Sequence, residues 1–233
     1  MKILLFICCL GLYMHGNSQQ LSYSDPAQAY NKLLIEKQQN SYQRIGVYKV
    51  RGSLYLFGGN NDGKIYPAAD SGYDVAISYS PFSKEIVFTA AQLNGLTGTK
   101  KPGTVDSFML KANTANGLTN DLKFVYAPLA GLKEKTYLQE MVGGPVYRLY
   151  KKYNSELEII PDNYGPADLR QFNLSVSYYY NIGNGKLSQL KAEPLFLGKL
   201  IAENKKNELS INADALVTDK DGELKRIFER LND

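Results

Sequence analysis

Tryptophan is absent from this sequence, cysteine occurs twice and histidine once. Cys8, Cys9 and His15 all lie among the first eighteen residues, so the rest of the chain has neither a thiol nor an imidazole. A protein without that segment cannot form a disulfide, a Ser-His-Asp triad, a Cys-His dyad or a zinc site built from cysteine and histidine. These absences exclude several classes of enzyme and metal protein, but they assign no activity.

The first eighteen residues have the composition of an export signal. Lys2 provides a positive charge, and Ile3–Leu12 is an uninterrupted apolar run. The small residues Gly16 and Ser18 precede a cleavage point before Gln19. The run is too short to cross a bilayer, which takes roughly 20 residues. We therefore expect a signal peptide and export to the periplasm or the cell exterior, with no transmembrane segment in the mature chain.

Two other interpretations of this segment are open. It could form a buried N-terminal helix or strand, or Cys8 or Cys9 could carry a lipid. Only seven or eight residues precede these cysteines, fewer than a charged region and an apolar core of about 7–15 residues require. The signal peptide is therefore the interpretation that we adopt.

The charge of the chain is small and dispersed. The net charge is +4, and the basic pairs Lys100-Lys101, Lys151-Lys152 and Lys205-Lys206 lie far apart in the sequence. A nucleic-acid-binding surface usually shows a denser basic stripe. Hydrophobic residues make up 44% of the chain and aromatic residues 12%, enough for a sizeable core. We expect a folded protein that has no nucleic-acid partner.

Two stretches, Tyr73–Tyr79 and Phe172–Tyr180, alternate apolar and polar residues with the period of a strand. The residues expected to be buried are Val75, Ile77, Leu174 and Val176, and those expected to be exposed are Asp74, Ser78, Asn173 and Ser175. Shorter runs predict further strands at Ile45–Val50, Ser53–Phe57, Glu85–Thr89, Ser107–Leu110, Leu122–Tyr126, Val146–Tyr150, Leu157–Ile160 and Leu187–Leu190. The body of the protein is therefore predicted to be rich in β-strands.

The segments between these runs contain residues typical of tight turns and loops. Asp62-Gly63 and Asn184-Gly185 suit hairpin turns, and Ser80–Ser83 joins two strands too closely for anything but an antiparallel pair. The stretches 94–104 and 112–120 are predicted to be long surface loops. Short connections without helices between strands favour an antiparallel barrel or sandwich.

Helices are predicted at both ends of the chain. Pro26 suits the first position of a short N-terminal helix, and the helical period returns near Ala192. Near the C-terminus, apolar residues at i, i+3, i+4 and i+7 form one stripe, with Gly222 as a weak point or break. The residues of this stripe are Leu224, Ile227, Phe228 and Leu231.

The fold class is therefore α+β, mainly an antiparallel barrel or sandwich with a short N-terminal helix and C-terminal helices. The predicted organisation is a signal peptide at 1–18, an N-terminal helical segment at 19–42, an antiparallel β domain at 43–191 and a C-terminal helical segment at 192–233.

Acidic residues are the remaining groups on which catalysis could depend. A glycosidase needs two carboxylates about 5–9.5 Å apart across a cleft, and no sequence pattern brings two acids together. Asp219–Gly222 resembles part of a calcium-binding loop, but Val217 and Phe228 would occupy two ligand positions and cannot bind calcium. Gly58–Gly63 lacks the Lys-Ser/Thr and the helix of a phosphate-binding loop. The sequence therefore predicts no catalytic residue, metal site or cofactor.

Tyrosine is frequent, with eighteen residues. Tyr147 and Tyr150 in one predicted strand, and Tyr179 on the otherwise polar face of another, are the candidate ligand-binding residues for a peptide or glycan. The alternative is that they are ordinary strand residues with half-buried rings and hydrated hydroxyls. Both interpretations are open at this point.

Several short motifs of the chain are similar to those of a broad group of secreted β-rich proteins of Bacteroidota. The motifs are Arg51–Phe57, Gly63–Tyr66, Tyr73-Asp74-Val75, Tyr178–Tyr180, Gly185-Lys186-Leu187 and the basic helical C-terminus. The resemblance spans most of the predicted mature chain. It implies export and a β-rich body, and it brings no catalytic residues and no assigned activity.

These observations favour a non-enzymatic binding or structural module of the cell envelope or the cell exterior. Its partner is expected to be a peptide, a glycan or an envelope protein. The alternative is a carboxylate-dependent hydrolase such as a glycosidase, which would need two close acids in a cleft.

Overall fold

An extended β-sheet forms the body of the protein, as the alternating sequence pattern predicts. The computed structural model describes residues 49–67, 71–91, 95–160, 169–183, 185–204, 206 and 208–233. These residues belong to one unit of the chain, Gly46–Asp233. The predicted signal peptide and the predicted N-terminal helix lie outside the described residues.

Within the described residues, eleven strands make up the sheet. Their bounds are β1 (Lys49–Arg51), β2 (Asn61–Tyr66), β3 (Tyr73–Tyr79), β4 (Ile86–Ala90), β5 (Leu96–Lys100), β6 (Ser107–Leu110), β7 (Leu122–Tyr126), β8 (Tyr137–Gly143), β9 (Tyr147–Ile160), β10 (Leu169–Ile182) and β11 (Ser188–Leu190). They pair in the order β1-β10-β9-β8-β7-β6-β2-β3-β4-β5, and β11 also pairs with β10. Only the β1–β10 pair among these is parallel.

The sheet curls but does not close. The rings of Tyr79 in β3 and Tyr137 in β8 lie 5.8 Å apart, although three strands separate β3 from β8 in the sheet order. Within the described residues β1 and β5 do not pair with each other, so the predicted barrel is wrong. The predicted sandwich of two sheets is not confirmed. A mostly antiparallel sheet with helices towards the C-terminus is confirmed.

Three helices follow the last strand: α1 (Pro194–Glu203), α2 (Ala213–Thr218) and α3 (Lys220–Asn232). The break before α3 lies at Asp219 rather than at the predicted Gly222. Asp219 has non-helical backbone angles (φ −142°, ψ 67°), and its carboxylate accepts a hydrogen bond from the Gly222 amide at 3.1 Å. An acidic N-cap therefore starts the helix, and Gly222 lies in its first turn.

The apolar stripe of α3 packs against the sheet, as its spacing predicts. Leu224, Ile227 and Phe228 are fully buried, and Leu231 is nearly so. They form one hydrophobic cluster with residues of β9, β10 and α1, among them Leu149, Tyr178 and Leu197. A second cluster fills the curl of the sheet around Tyr79, Phe108 and Phe124.

Several predicted strands have the expected bounds. Tyr73–Tyr79, Ser107–Leu110 and Leu122–Tyr126 are strands over those residues, and the β3–β4 pair is antiparallel. Val146–Tyr150 and Leu157–Ile160 are not two strands, because β9 runs without a break across both. Part of the predicted loop 94–104 is strand β5, whose polar residues are those of an exposed edge. The alternation of apolar residues does not reveal such a strand.

Two predictions near the start of the sheet are wrong. Asp62-Gly63 is not a turn but part of β2, and a Cβ on Gly63 would lie 2.3 Å from the carbonyl oxygen of Met109. Glycine is therefore needed for close approach between strands rather than for a hairpin. Ser53–Phe57 is not a strand, because the Ser53 hydroxyl bonds locally to the backbone of Tyr55.

The burial predictions hold for β3 with one exception. Val75 and Ile77 are buried and Asp74 is exposed. Ser78 is buried, contrary to the prediction, because its hydroxyl accepts a hydrogen bond from the Asn60 amide at 2.8 Å. The side chain is therefore satisfied inside the protein.

The burial predictions for β10 are half wrong. Leu174 is 54% exposed and Val176 is 43% exposed, although both were expected in the core. Ser175 is exposed as expected, and Asn173 is half-buried. The predicted alternation of the strand is correct. The helices cover the face around Tyr178 but not around Leu174 and Val176.

Candidate functional site

The two longest strands, β9 and β10, form a ribbon on which the candidate tyrosines lie. They pair over their whole length, from Tyr147 opposite Ile182 to Ile160 opposite Leu169. Residues opposite each other in an antiparallel pair point to the same face. We call the side that carries Leu149 and Tyr178, against which the helices pack, the helix face, and the other side the far face.

The three candidate tyrosines do not line one surface. Tyr147 is buried on the helix face, where its hydroxyl donates to Asn204 Oδ1 at 2.5 Å. Tyr150 and Tyr179 lie opposite each other on the far face. Tyr150 is buried there with Leu138, and Tyr179 packs half-buried against the same cluster. Whether any of them binds a ligand stays a prediction.

A polar cluster lies on the helix face where α3 begins. Asp221 accepts hydrogen bonds from Lys151 Nζ and, at 2.7 Å, from the Tyr178 hydroxyl. The Tyr153 hydroxyl donates to Gln139 Oε1 at 2.6 Å. Burial raises the pKa of both Tyr153 and Tyr178, so both stay protonated. The donors and acceptors are satisfied within the protein, so the cluster holds α3 on the sheet.

Glu134 links three separate parts of the sheet. Its carboxylate pairs with Lys84, which follows the β3–β4 turn, at 2.7 Å, and with Lys152 of β9. Burial alone would raise the pKa of Glu134, but hydrogen bonds from the two lysines outweigh it and lower the pKa. This carboxylate is therefore ionised, and it ties the curled end of the sheet to the ribbon.

Exposed acids near Lys111 are the best arrangement for the hydrolase hypothesis. Asp74 Oδ1 lies 3.1 Å from Lys111 Nζ, and Asp62 and Asp121 also act on the charge of that lysine. The hydrogen bond from Lys111 lowers the pKa of Asp74. A general acid needs a raised pKa. Both Asp74 and Lys111 are exposed on a sheet surface.

A cleft opens on the helix face of the ribbon, beyond the region that the helices cover. Its volume is about 250 Å³. Segment 53–58, the β3–β4 turn and the ribbon provide its walls. The lining side chains include Tyr55, Phe57, Pro81, Ser155, Phe172 and Leu174. The lining is mostly apolar, which is typical of sites that hold an apolar group.

Exposed apolar side chains adjoin this cleft along the ribbon. Ile159, Leu174 and Val176 are 59%, 54% and 43% exposed, and all three point to the helix face by the register of the ribbon. We call these three residues the ribbon strip. Leu174 belongs to both the strip and the cleft wall, so the two form one apolar surface.

Sequence reasoning missed this surface, because alternation indicates which residues share a face but not which part of that face is covered. Strand length gave no signal either, because alternation predicts only Phe172–Tyr180. The fourteen-residue β10 is far longer than the thirteen-residue α3, since a strand rises about 3.3 Å per residue and a helix 1.5 Å.

A second, polar cavity of about 280 Å³ lies beside α3, lined by Lys206, Glu208, Arg226, Arg230 and Asp233 among others. Arg226 is already bonded to Glu223 and to the Ser210 carbonyl oxygen. Among the residues that the structure describes, no group of three acidic, histidine or cysteine side chains is placed to hold a metal ion. We therefore regard the ribbon cleft as the candidate site.

No family model, curated protein or solved structure matches this chain. In the part of the chain that the structure describes, no helix is both long and apolar enough to span a membrane. The candidate site therefore rests on its own geometry and chemistry.

Proposed function

We propose that this protein is an exported, non-enzymatic binding module of the cell envelope or the cell exterior. The cleft and the ribbon strip form its binding surface, and the ligand is a peptide or a segment of a protein with exposed apolar side chains. The observation that carries the proposal is the exposure of Leu174 and Val176 beside an apolar cleft. Contiguous exposed apolar surface marks interaction sites in soluble proteins.

The lining of the cleft favours a peptide over a glycan. Most of the side chains that line the cleft are aromatic or aliphatic. The polar groups among them are the hydroxyls of Ser53, Ser155 and Tyr55. A sugar presents many hydroxyls, and burying them without partners costs free energy. An apolar side chain of a peptide has no hydroxyl to desolvate. Its burial is favourable by about 25 cal/mol per Å² of surface removed from water.

The state of the acids supports a binding role over hydrolysis. Glu134 and Asp221 hold elements of the fold together through lysines. The lowered pKa of Asp74 suits an ion pair rather than a proton donor. Neither Asp74 nor any other acid is among the residues that line the ribbon cleft.

A displayed library of random peptides, selected against the intact mature protein, tests this function. We expect selected peptides to carry apolar residues and to bind Leu174→Asp at least about tenfold more weakly, because a buried carboxylate without a partner opposes an apolar ligand. Leu195→Asp is the matched control, since Leu195 is 74% exposed on α1 and is not part of the cleft lining. Thermal unfolding checks that both variants are folded.

Selected peptides that bind the wild-type protein and Leu174→Asp equally well would contradict the proposed site. Failure to enrich any peptide on either the wild-type protein or the Leu195→Asp protein would contradict the peptide-binding role itself.

A further inference from the structure

In the part of the chain that the structure describes, no strand covers the middle third of the outer edge of β10. β1 pairs with residues 169–171 of this edge, and β11 pairs with residues 178–180. Gly52, with a φ of 87°, turns the chain after β1. Gly52 lies against Phe172, and among the described residues no strand pairs with the outer edge of residues 173–177, which we call the edge gap. Five residues of strand span about 17 Å.

The peptide groups that face the edge gap can be identified. A Cβ built on Gly52 lies 3.1 Å from the carbonyl oxygen and 3.6 Å from the amide nitrogen of Phe172, so these groups face outward. The amide of Gly183 donates a hydrogen bond to the carbonyl oxygen of Val146, which directly precedes β9. The N–H and C=O groups of the odd-numbered residues of β10 therefore face β9. By alternation the N–H and C=O groups of Leu174 and Val176 face the gap.

Leu174 and Val176 therefore carry two features at once. Their peptide groups face an open strand edge, and their side chains are exposed on the helix face, where Leu174 also lines the cleft. A strand added at the gap would make hydrogen bonds with these residues and place alternate side chains against the ribbon strip. Main-chain pairing provides affinity in such complexes, and pockets for alternate side chains provide specificity.

We propose that the ligand binds by strand addition: an extended peptide pairs antiparallel with β10 at the edge gap and places apolar side chains beside Leu174 and Val176. This inference rests on the proposed function and specifies how the same surface binds. Antiparallel pairing is the more stable arrangement per residue.

The charge of the far face specifies the alternate residues of the peptide. Glu156, opposite Asn173, is exposed, and no ion pair holds its carboxylate among the described residues. Glu158 accepts a hydrogen bond from Asn173. Arg51 lies towards the β1 end of the gap. Lys152, opposite Ser177, is already neutralised by Glu134. A basic residue is therefore expected beside Ser175, away from Arg51 and on the same face as Glu156.

A second copy of β10 does not fit this gap. If β10 of another molecule lay along the edge, its own β1 and β11 would occupy the positions of the first β10, because both pair with that same outer edge. A separate extended segment that carries no strands on the edge facing β10 avoids this clash. The occupant is therefore a peptide segment alternating apolar and basic residues.

The probe is a peptide of roughly seven residues in which lysine alternates with valine, with both ends blocked, titrated into the mature protein and followed by NMR. We expect the amide signals of Leu174 and Val176 to shift and to become protected from hydrogen exchange. In an antiparallel pair, opposed residues share a face, and only every second pair exchanges hydrogen bonds. The valines opposite Leu174 and Val176 form the hydrogen-bonded pairs, and the lysines lie in the other pairs. N-methylation of the valines should therefore weaken binding about tenfold or more, whereas N-methylation of the lysines leaves it nearly unchanged.

A variant of the protein provides the matching test. Val176→Pro removes one outward N–H and keeps an apolar side chain, and proline is tolerated at a strand edge. Val176→Thr keeps the N–H and is the control. We expect the proline variant to bind the valine–lysine peptide about tenfold more weakly than the threonine variant.

Equal binding of all three peptides, with loss of binding in Leu174→Asp, would overturn strand addition and leave the proposed function standing. No shift at Leu174 or Val176 at millimolar peptide would overturn strand addition by this peptide chemistry. The methylated peptides need no change to the protein, so they decide the question even if Val176→Pro does not fold.

Discussion

At the scale of single residues, one half-buried carboxylate helps to explain how a curled, open sheet keeps its shape. Glu134 bonds to Lys84 and Lys152, which come from distant parts of the sheet. Lys152 is almost fully buried, so its charge depends on this partner. The pair is therefore a cross-link between the β3–β4 turn, the β7–β8 connection and the ribbon.

Glu134→Gln should lower the free energy of unfolding by about 1–3 kcal/mol at neutral pH, because Lys152 loses its counter-charge. The folded pKa of Glu134 lies below its ordinary value of 4.5. Its stabilisation is therefore fully present above that value and is lost as the pH falls through the lower folded pKa. Urea unfolding across this range should show the two proteins converging in acid.

Glu140→Gln is the control for this prediction. Its partner Lys123 is 56% exposed, and exposed pairs contribute about 0–1 kcal/mol. A pH-independent difference between Glu134→Gln and the wild-type protein would show that the carboxylate charge is not what stabilises the site.

At the scale of secondary-structure elements, the C-terminal helix depends on the sheet for its stability. Isolated helices as short as α3 are marginal in water. Phe228 lies in its centre, fully buried, with its ring 6.1 Å from that of Tyr147 and 6.0 Å from that of Tyr180. Burial of the apolar stripe, together with the Asp219 cap, therefore holds the helix in place.

Phe228→Ala should cost about 3–5 kcal/mol and lower the thermal midpoint by roughly 6–20 °C. Glu229→Ala, on the exposed side of the same helix, should stay within about 0.5 kcal/mol of the wild-type protein. Differential scanning calorimetry of both variants tests this. Similar small shifts in both would show that the helix does not depend on its contact with the sheet.

Arg226 looks like a neutral surface residue in the helical pattern, but it has a structural role. It donates to the buried Glu223 carboxylate and to the Ser210 carbonyl oxygen. The hydrogen bond from Arg226 lowers the pKa of Glu223. Arg226→Ala should therefore cost about 1–3 kcal/mol rather than nothing. Urea unfolding at pH 7 checks this, and a cost below that of Glu229→Ala would contradict it.

At the scale of the whole molecule, the proposed export signal contains both cysteines and the histidine of the sequence. We expect the exported protein to begin at Gln19 or Gln20 and to contain no thiol. Intact-mass measurement, together with a thiol-reactive dye, tests both points on the same sample. An exported species that retains Cys8 and Cys9 would remove the basis for excluding cysteine chemistry.

The fold could be predicted where its signals are local. Alternation in Tyr73–Tyr79 and the apolar stripe of α3 predict a strand and a helix, because each pattern matches the period of one backbone geometry. Strand β5 and the role of Gly63 could not be predicted in this way. The first has the composition of a loop, and the second depends on how closely Met109 of another strand approaches.

The candidate site could be predicted only in part. Tyrosines on the ribbon were the sequence candidates, and the register places Tyr147 on one face and Tyr150 and Tyr179 on the other. Leu174 and Val176 looked like core residues, because an apolar residue in an alternating strand has the same local pattern whether or not something covers it.

By itself the sequence determined the type of most elements, the buried stripe of the last helix and the absence of cysteine and histidine beyond residue 18. Only the tertiary structure decided that, among the described residues, the sheet stays open, the helices cover one end of the ribbon, and β1 and β11 leave the middle of β10 unpaired on its outer edge. Element type follows from the period of neighbouring residues, whereas coverage of a face or an edge depends on segments far away in the chain.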